Sequence, residues 1–304
     1  MPNANLPFGI DLSKYNTSAD GKKKVDFDII AAHQPHVDFI AMRAGISWGY
    51  QDPWFNYYFS EGTRINRILM PYHVLYPGES PTAQMDNFFR ILGDINFKTT
   101  PLVIDLELDH GYTVSAITKT TADCINIITQ RTGRTPIIYS RASWINQFVR
   151  VSDLPLTFWW LAQYLYSRPY PLYTPEFPSP PTMPRFVHHW LFHQTTQRGR
   201  SIGAPGLYYM DYNRFNGSII DLLHFAYDQA PEEQPITCPI DNLPCTGDKT
   251  EPVSPAPTFR VQLSKVPSGE HGSTGKSPVG TMLPAWLVHK SKQSPWPPSE
   301  ENKG

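Results

Sequence analysis

Two acids stand one residue apart at the end of an apolar run, Pro101-Leu102-Val103-Ile104-Asp105-Leu106-Glu107-Leu108-Asp109. The run has the composition of a buried strand, on which successive side chains point to opposite faces. Asp105 and Glu107 therefore share one face, and Ile104, Leu106 and Leu108 fill the other. Two carboxyls held this close resist ionising together, because like charge and partial burial both favour the neutral form of one of them. One can stay a proton donor near neutrality while its neighbour carries negative charge. That pairing suits glycosidic cleavage, which needs a proton on the leaving oxygen and negative charge near a developing oxocarbenium ion. Asp11 and Asp211, in or near the ends of two further apolar runs, are the other candidate acids. The competing reading is a pair of solvated acids at a strand end, and the rest of the chain has to discriminate.

Other chemistries are less well provided for. No Gly-x-Ser-x-Gly elbow occurs, and His73, His188, His189 and His193 are not tied by spacing to a serine nucleophile. The stronger rival is a metal site built from His188, His189 and His193 with Asp105, Glu107 and Asp211. Adjacent histidines on a strand point opposite ways, however, and no His-Glu-x-x-His occurs. The histidines are read as core or loop residues, and no metal or other cofactor is expected. A net charge of -1 and a pI near 6.8 leave no basic footprint for nucleic acid. Aromatics at 13% allow a sizeable core and leave rings over for a sugar-binding groove.

Cys124 sits in a helical pattern and reads as a small core residue, whereas Cys238 and Cys245 flank a short segment that a disulfide would close in an oxidising compartment. Without accompanying His or further Cys these two do not suggest zinc. The start of the chain shows no basic region followed by an apolar one, and no apolar span reaches membrane length. A soluble chain without a visible signal peptide and without membrane insertion is expected.

The elements that must position the acids follow from periodicity and breakers. Eight runs have strand character: Phe8 to Ser13, Phe39 to Gly45, Ile68 to Tyr76, Pro101 to Leu108, Pro136 to Arg141, Phe158 to Tyr164, His188 to Thr196 and Tyr208 to Phe215. Helical spacing appears in Asp26 to Gln34, Trp54 to Asn66, Pro81 to Ile95, Ala116 to Arg131 and Ala142 to Val149, with Ser80-Pro81 as a cap and first-turn pair. Strands alternating with helices imply parallel strands joined by crossovers. Eight of them in a chain this long predict an irregular TIM-like (β/α) barrel of the α/β class, whose last three strands lack regular helices. In such barrels chemistry sits at the carboxyl ends of the strands. An open doubly wound sheet is the other arrangement the pattern allows.

The stretch from Arg168 to Pro184 is too rich in proline for a helix or a ladder and reads as a loop whose aromatics either extend a groove or pack on one another. From Gln229 the composition shifts to Pro, Ser, Thr, Gly and Lys. Residues 1–228 are therefore read as a catalytic barrel, and 229–304 as a linker and tail that is mostly disordered or a degenerate wall-binding segment.

Taken in order, several motifs resemble glycoside hydrolase family 25, the lysozymes of the Chalaropsis and phage endolysin type. They are Phe8-Gly9-Ile10-Asp11-Leu12-Ser13, Phe39-Ile40-Ala41-Met42-Arg43-Ala44-Gly45 with Gln51-Asp52-Pro53-Trp54-Phe55, Pro71-Tyr72-His73-Val74, Ile104-Asp105-Leu106-Glu107, Ile138-Tyr139-Ser140, Trp160-Leu161-Ala162-Gln163-Tyr164, His193-Gln194-Thr195-Thr196 and Met210-Asp211-Tyr212-Asn213-Arg214-Phe215. The resemblance covers about Phe8 to Phe225. It implies a muramidase that cuts the β-1,4 bond between N-acetylmuramic acid and N-acetylglucosamine in peptidoglycan; action on the bacterial wall after phage-type release or non-classical export, and a monomer, are expected. On that resemblance Glu107 is the general acid, Asp105 stabilises charge or orients the substrate's N-acetyl group, and Asp11 and Asp211 complete an acidic floor. Arg43, Tyr72, Tyr139, Trp160 and Gln163 take groove positions. Retention or inversion depends on carboxyl separation, about 5 Å against about 6.5–9.5 Å, unless the substrate supplies the nucleophile. Two other functions are weighed: a catalytically silent glycan-binding barrel of a phage particle, and a chitinase-like N-acetylhexosamine glycosidase. Against the latter, the run Asp-x-x-Asp-x-Asp-x-Glu is missing.

Overall fold

The structure is a computed structural model and describes residues 6–18, 20–164, 179–204 and 209–227. By contact the chain divides into Met1–Pro231 and Glu232–Gly304, and the described residues all belong to the first unit. The expectations for the tail, for Cys238 and Cys245, and for most of the Pro-rich loop lie outside the described residues.

Nine strands form one sheet: β1 (Phe8–Leu12), β2 (Val37–Ile46), β3 (Tyr50–Gln51), β4 (Ile68–Val74), β5 (Val103–Asp105), β6 (Ile137–Ser140), β7 (Phe158–Ala162), β8 (Phe192–Arg200) and β9 (Tyr209–Phe215). The order β1-β9-β8-β7-β6-β5-β4-β2 closes on itself through β1–β2 pairing, giving an eight-stranded α/β barrel. β3 is a short antiparallel partner of β2 outside the ring. The open doubly wound sheet is thereby ruled out.

Five helices occupy the crossovers: α1 (Phe27–Ala32), α2 (Phe55–Arg64), α3 (Pro81–Leu92), α4 (Val114–Thr132) and α5 (Ala142–Phe148). Local sequence sets their ends. Ser80 caps α3 by accepting from the Ala83 amide, with Pro81 in the first turn where its missing N–H costs nothing. Thr113 caps α4 in the same way, and Gly133 closes it in the left-handed region at φ 72°.

Side-chain alternation divides the apolar residues between two cores. Phe39, Ala41, Ile68, Met70, Val103, Ile137, Trp160, Phe192 and Phe215 pack inside the barrel, while Ile40, Met42, Ile104, Ile138 and Leu161 of the same strands pack outward in the larger cluster shared with the helices. Gly9 makes room inside, because a Cβ there would fall 2.3 Å from the Phe39 ring. Toward the carboxyl ends the inward series turns polar: Tyr72 follows Met70, Asp105 follows Val103, Tyr139 follows Ile137 and Gln194 follows Phe192.

Several elements differ from the sequence reading. β9 runs antiparallel to both β8 and β1, not parallel. Only residues 201–208 separate it from β8, fewer than the dozen or more that a parallel crossover needs. Asp211 consequently sits near the start of its strand and still reaches the same end of the barrel as the other acids. β8 begins four residues later than expected, leaving His188 and His189 exposed ahead of it.

A sixth helix, α6 (Ile219–Tyr227), follows β9 where no helix was expected. Leu222, Phe225 and Ala226 pack with Phe158, Phe192 and Phe215 at the opposite end from the acids. Arg134 ties α6 down by donating to the carbonyls of Phe225 (2.5 Å) and Ala226 (2.8 Å), a cation at a helix C-terminus. Among the described residues, no helix is long and apolar enough to cross a membrane.

Candidate active site

β5 is shorter than the apolar run that predicts it, ending at Asp105, so Glu107 lies just beyond the ladder. Alternation nevertheless continues. The Asp105 carbonyl accepts from the Leu75 amide and the Leu106 amide donates to the Tyr139 carbonyl, both at 2.9 Å. Leu106 is thus buried on the helix side and Glu107 turns to the same side as Asp105. The two acids and Asp11, Asp211, Tyr72, Val103, Tyr139, Trp160 and Gln194 line one pocket of about 130 Å³.

Asp11 and Asp211 face each other directly across the β1–β9 pair, an unfavourable opposition unless a proton is shared. A hydrogen bond joins the two carboxyls. Two amides decide which of them is the anion. Gln194 Nε2 (2.9 Å) and Asn213 Nδ2 (2.8 Å) both donate to Asp11 Oδ2. Each amide is held in that orientation by a partner on its oxygen: Tyr139 (2.8 Å) and Tyr164 hydroxyls donate to Gln194 Oε1, and Trp160 Nε1 donates to Asn213 Oδ1 (3.0 Å). Burial raises Asp11 above the ordinary carboxylate range, and these donors oppose the rise. Asp211 is raised well above that range by burial and then by the charge of Asp11, so it keeps the shared proton.

The second pair behaves differently. Burial and the neighbouring Glu107 raise Asp105 well above its usual range, with Arg43 pulling the other way. Burial lifts Glu107 to about 7, opposed by Arg141 and reinforced by Asp11. Asp105 Oδ1 is buried and accepts no hydrogen bond within the protein. An acceptor left open inside a pocket otherwise rich in matched polar groups is unfavourable until something donates to it.

Not every expected residue reaches the pocket wall. Asp11, Tyr72, Asp105, Glu107, Tyr139, Trp160 and Asp211 do; Arg43 and Gln163 do not. Arg43 is almost fully buried beside the pocket, its Nε donating to Asp52 Oδ2 at 2.8 Å and its guanidinium standing 5.2 Å from the Tyr15 ring centre. It acts on the site through charge, opposing the rise that burial imposes on Asp105 and Tyr72. Gln163 turns its side-chain oxygen to the Thr182 amide instead.

Gln194, Asn213 and Tyr164 belong to the site although their residue types alone do not mark them: two are amides that do not titrate, and only their contacts with Asp11 and with one another give them a role. The histidines have structural places: His193 is buried and neutral, held down to about 3 by burial, with its ring between the Gln163 carbonyl and Arg214 Nε. His73 is likewise lowered to about 3 by burial and packs on Phe88. Among the described residues no three His, Cys, Asp or Glu side chains are arranged to hold a metal ion.

An eight-stranded barrel with four carboxyls converging at one mouth among aromatic rings and amides has the makings of a carboxylate-dependent hydrolase. The sequence profile of glycosyl hydrolases family 25 matches residues 10–204, and the chain belongs to that family. It is 24% identical over 231 residues to the uncharacterized protein YegX of Escherichia coli O6:H1 strain CFT073, an alignment covering 74% of this chain and 75% of YegX. Its fold resembles the bacterial lysozyme of Streptomyces coelicolor with a TM-score of 0.60 at 25% identity, covering 74% of this chain and 98% of that one. A muramidase from Trichobolus zukalii shares the fold with a TM-score of 0.57 at 22% identity, over 73% of this chain and all of the other (100%).

Proposed function

We propose that this protein is a muramidase that hydrolyses the β-1,4 bond between N-acetylmuramic acid and N-acetylglucosamine in bacterial peptidoglycan. The observation that carries the reading is the buried, open Oδ1 of Asp105 beside a Glu107 whose proton is held to about neutrality. The pocket of about 130 Å³ opens beside this pair, and the sugars on both sides of that bond carry an acetamido group. The acetamido N–H is a donor of the kind that Asp105 Oδ1 lacks. Its hydrogen bond favours the Asp105 anion, which leaves the pair's proton on Glu107.

Glu107 then protonates the leaving glycosidic oxygen while the acetamido oxygen attacks the anomeric carbon. Asp105 holds the positively charged N–H that results. Water adds from the opposite face, displacing the acetamido oxygen from the anomeric carbon and giving its proton to the Glu107 carboxylate, which restores the N-acetyl group and the starting acid. Two inversions give net retention. The Asp11 anion, with protonated Asp211 behind it, adds negative potential beneath the developing positive charge.

The test is mass analysis of soluble fragments from purified peptidoglycan, joined to an NMR assay of the first anomer formed. N-acetylmuramic acid at the new reducing end with retained configuration is expected. N-acetylglucosamine at that end, release from chitin alone, or binding with no new reducing ends would each overturn the assignment.

A further inference from the structure

The loops that leave the pocket end of β4 and β5 carry a cluster of exposed and half-buried rings that the acid chemistry does not use. Tyr76 and His110 stack with ring centres 4.0 Å apart and planes 25° from parallel, the tyrosine hydroxyl 3.5 Å from His110 Nδ1. Tyr112, 45% exposed, lies against the neighbouring loop at Gly78, where a Cβ would fall 2.0 Å from the ring's Cζ. Gly78 has φ 85°, so both its conformation and the close approach of the ring require glycine. A tight turn fixes Tyr112 from its own side. Asp109 accepts from the Gly111 amide through Oδ1 (2.9 Å) and from the Tyr112 amide through its carbonyl (2.8 Å), and His110 and Gly111 take φ of 45° and 75°.

A tyrosine fastened this firmly yet left half in water contributes little to the core. Its position suggests another use. β4 and β5 are adjacent and parallel, so both loops leave from the same rim. His110 is three residues beyond Glu107 and lies within about 10 Å of it by chain length alone. The acid pocket opens at this same end of the barrel, so a glycan strand held there has further sugar units available to these loops.

We propose that Tyr112, backed by Gly78 and flanked by the Tyr76–His110 pair, is a stacking platform for a sugar unit of the glycan strand outside the acid pocket. The C–H face of a pyranose matches the face of an aromatic ring, and the cluster holds neither Lys nor Arg to recruit the acidic groups of a peptide stem. The proposal rests on the reading of the pocket as a glycosidase centre.

The test uses the full chain and peptide-free glycan strands of defined short and long length, scored as the ratio of kcat/KM on long to short strands. Tyr112→Ala is expected to lower that ratio about tenfold, the scale of one aromatic stacking contact. Tyr112→Phe should restore it. Gly78→Ala, which displaces the ring without altering it, should reproduce the loss, and it also serves if Tyr112→Ala misfolds. An unchanged ratio in folded Tyr112→Ala, an equal loss on short and long strands, or a loss seen only when peptide stems are present would overturn the platform. Calorimetric binding of long peptide-free strands to Glu107→Gln, with and without Tyr112→Ala, reads the platform separately from cleavage. Absence of cutting by the unaltered protein with binding that still depends on Tyr112 would therefore sink the muramidase reading alone.

Discussion

Glu107 is the residue on which pH dependence turns, because its folded pKa of about 7 stands above its ordinary value of 4.5. The folded state binds this proton more tightly than the unfolded chain does. Its contribution to stability is therefore fully present below about 4.5 and is lost as pH rises through about 7. Asp105, Asp11 and Asp211 are also raised and act in the same sense. Glu107→Gln should thus be more stable than the parent at pH 8 and show a flatter stability profile between pH 4.5 and pH 7, as read by denaturant unfolding. The same variant should lose at least about two orders of magnitude in kcat, the usual scale of a general acid. In the parent, kcat/KM should fall as pH rises above about 7, where the acid of the free protein gives up its proton. Gln194 supplies one of the two donors that favour ionised Asp11. Gln194→Ala removes it, raises Asp11 further and should move the acidic limb of the kcat/KM profile to higher pH. A profile that keeps its acidic limb while only its height falls would mean that Gln194 is mere packing.

At the scale of elements, the packing of the barrel rests on contacts that do not involve the acids themselves. Arg134 joins the end of α6 to the segment before β6 through two carbonyls and a cation–π contact with Phe225. Arg134→Ala should cost about 1–3 kcal/mol and lower Tm, with little change in turnover per folded molecule at low temperature, because α6 packs at the end away from the pocket. Gly9→Ala pushes a methyl into the Phe39 ring and should destabilise by a similar ~1–3 kcal/mol, measured the same way. The eight barrel strands and five crossover helices were legible because each carries its own periodicity, to which α3 adds its Ser80 cap. α6 was not. Ile219-Ile220-Asp221-Leu222-Leu223-His224-Phe225-Ala226-Tyr227 is apolar on nearly every side, so periodicity gives it no face. The direction of β9 was hidden for another reason: strand direction is a property of the connection and the partner, not of the strand's residues.

At the scale of the whole molecule, the tail is proposed to serve the barrel as a linker or wall-attachment segment. A chain ending at Asp228 should then keep its fold and its turnover of soluble glycan within about twofold, while less of it sediments with cell walls. Cooperative loss of the barrel on truncation, followed by circular dichroism, would refute that division of roles. What the sequence by itself determined was the set of candidate carboxyls, the strand–helix alternation and the family, since these rest on residue type and on spacing along the chain. The placing of Asp11 opposite Asp211, the two fixed amides that settle which of them is the anion, and the open Oδ1 of Asp105 were decided only by the tertiary structure. So were the departures of Arg43 and Gln163 from the pocket wall and the seating of Tyr112 on Gly78. The physical reason is common to them all: a proton's location, an amide's orientation and a ring's exposure depend on neighbours brought together by closure of the barrel, and those neighbours can lie as far apart in sequence as Asp11 and Asn213.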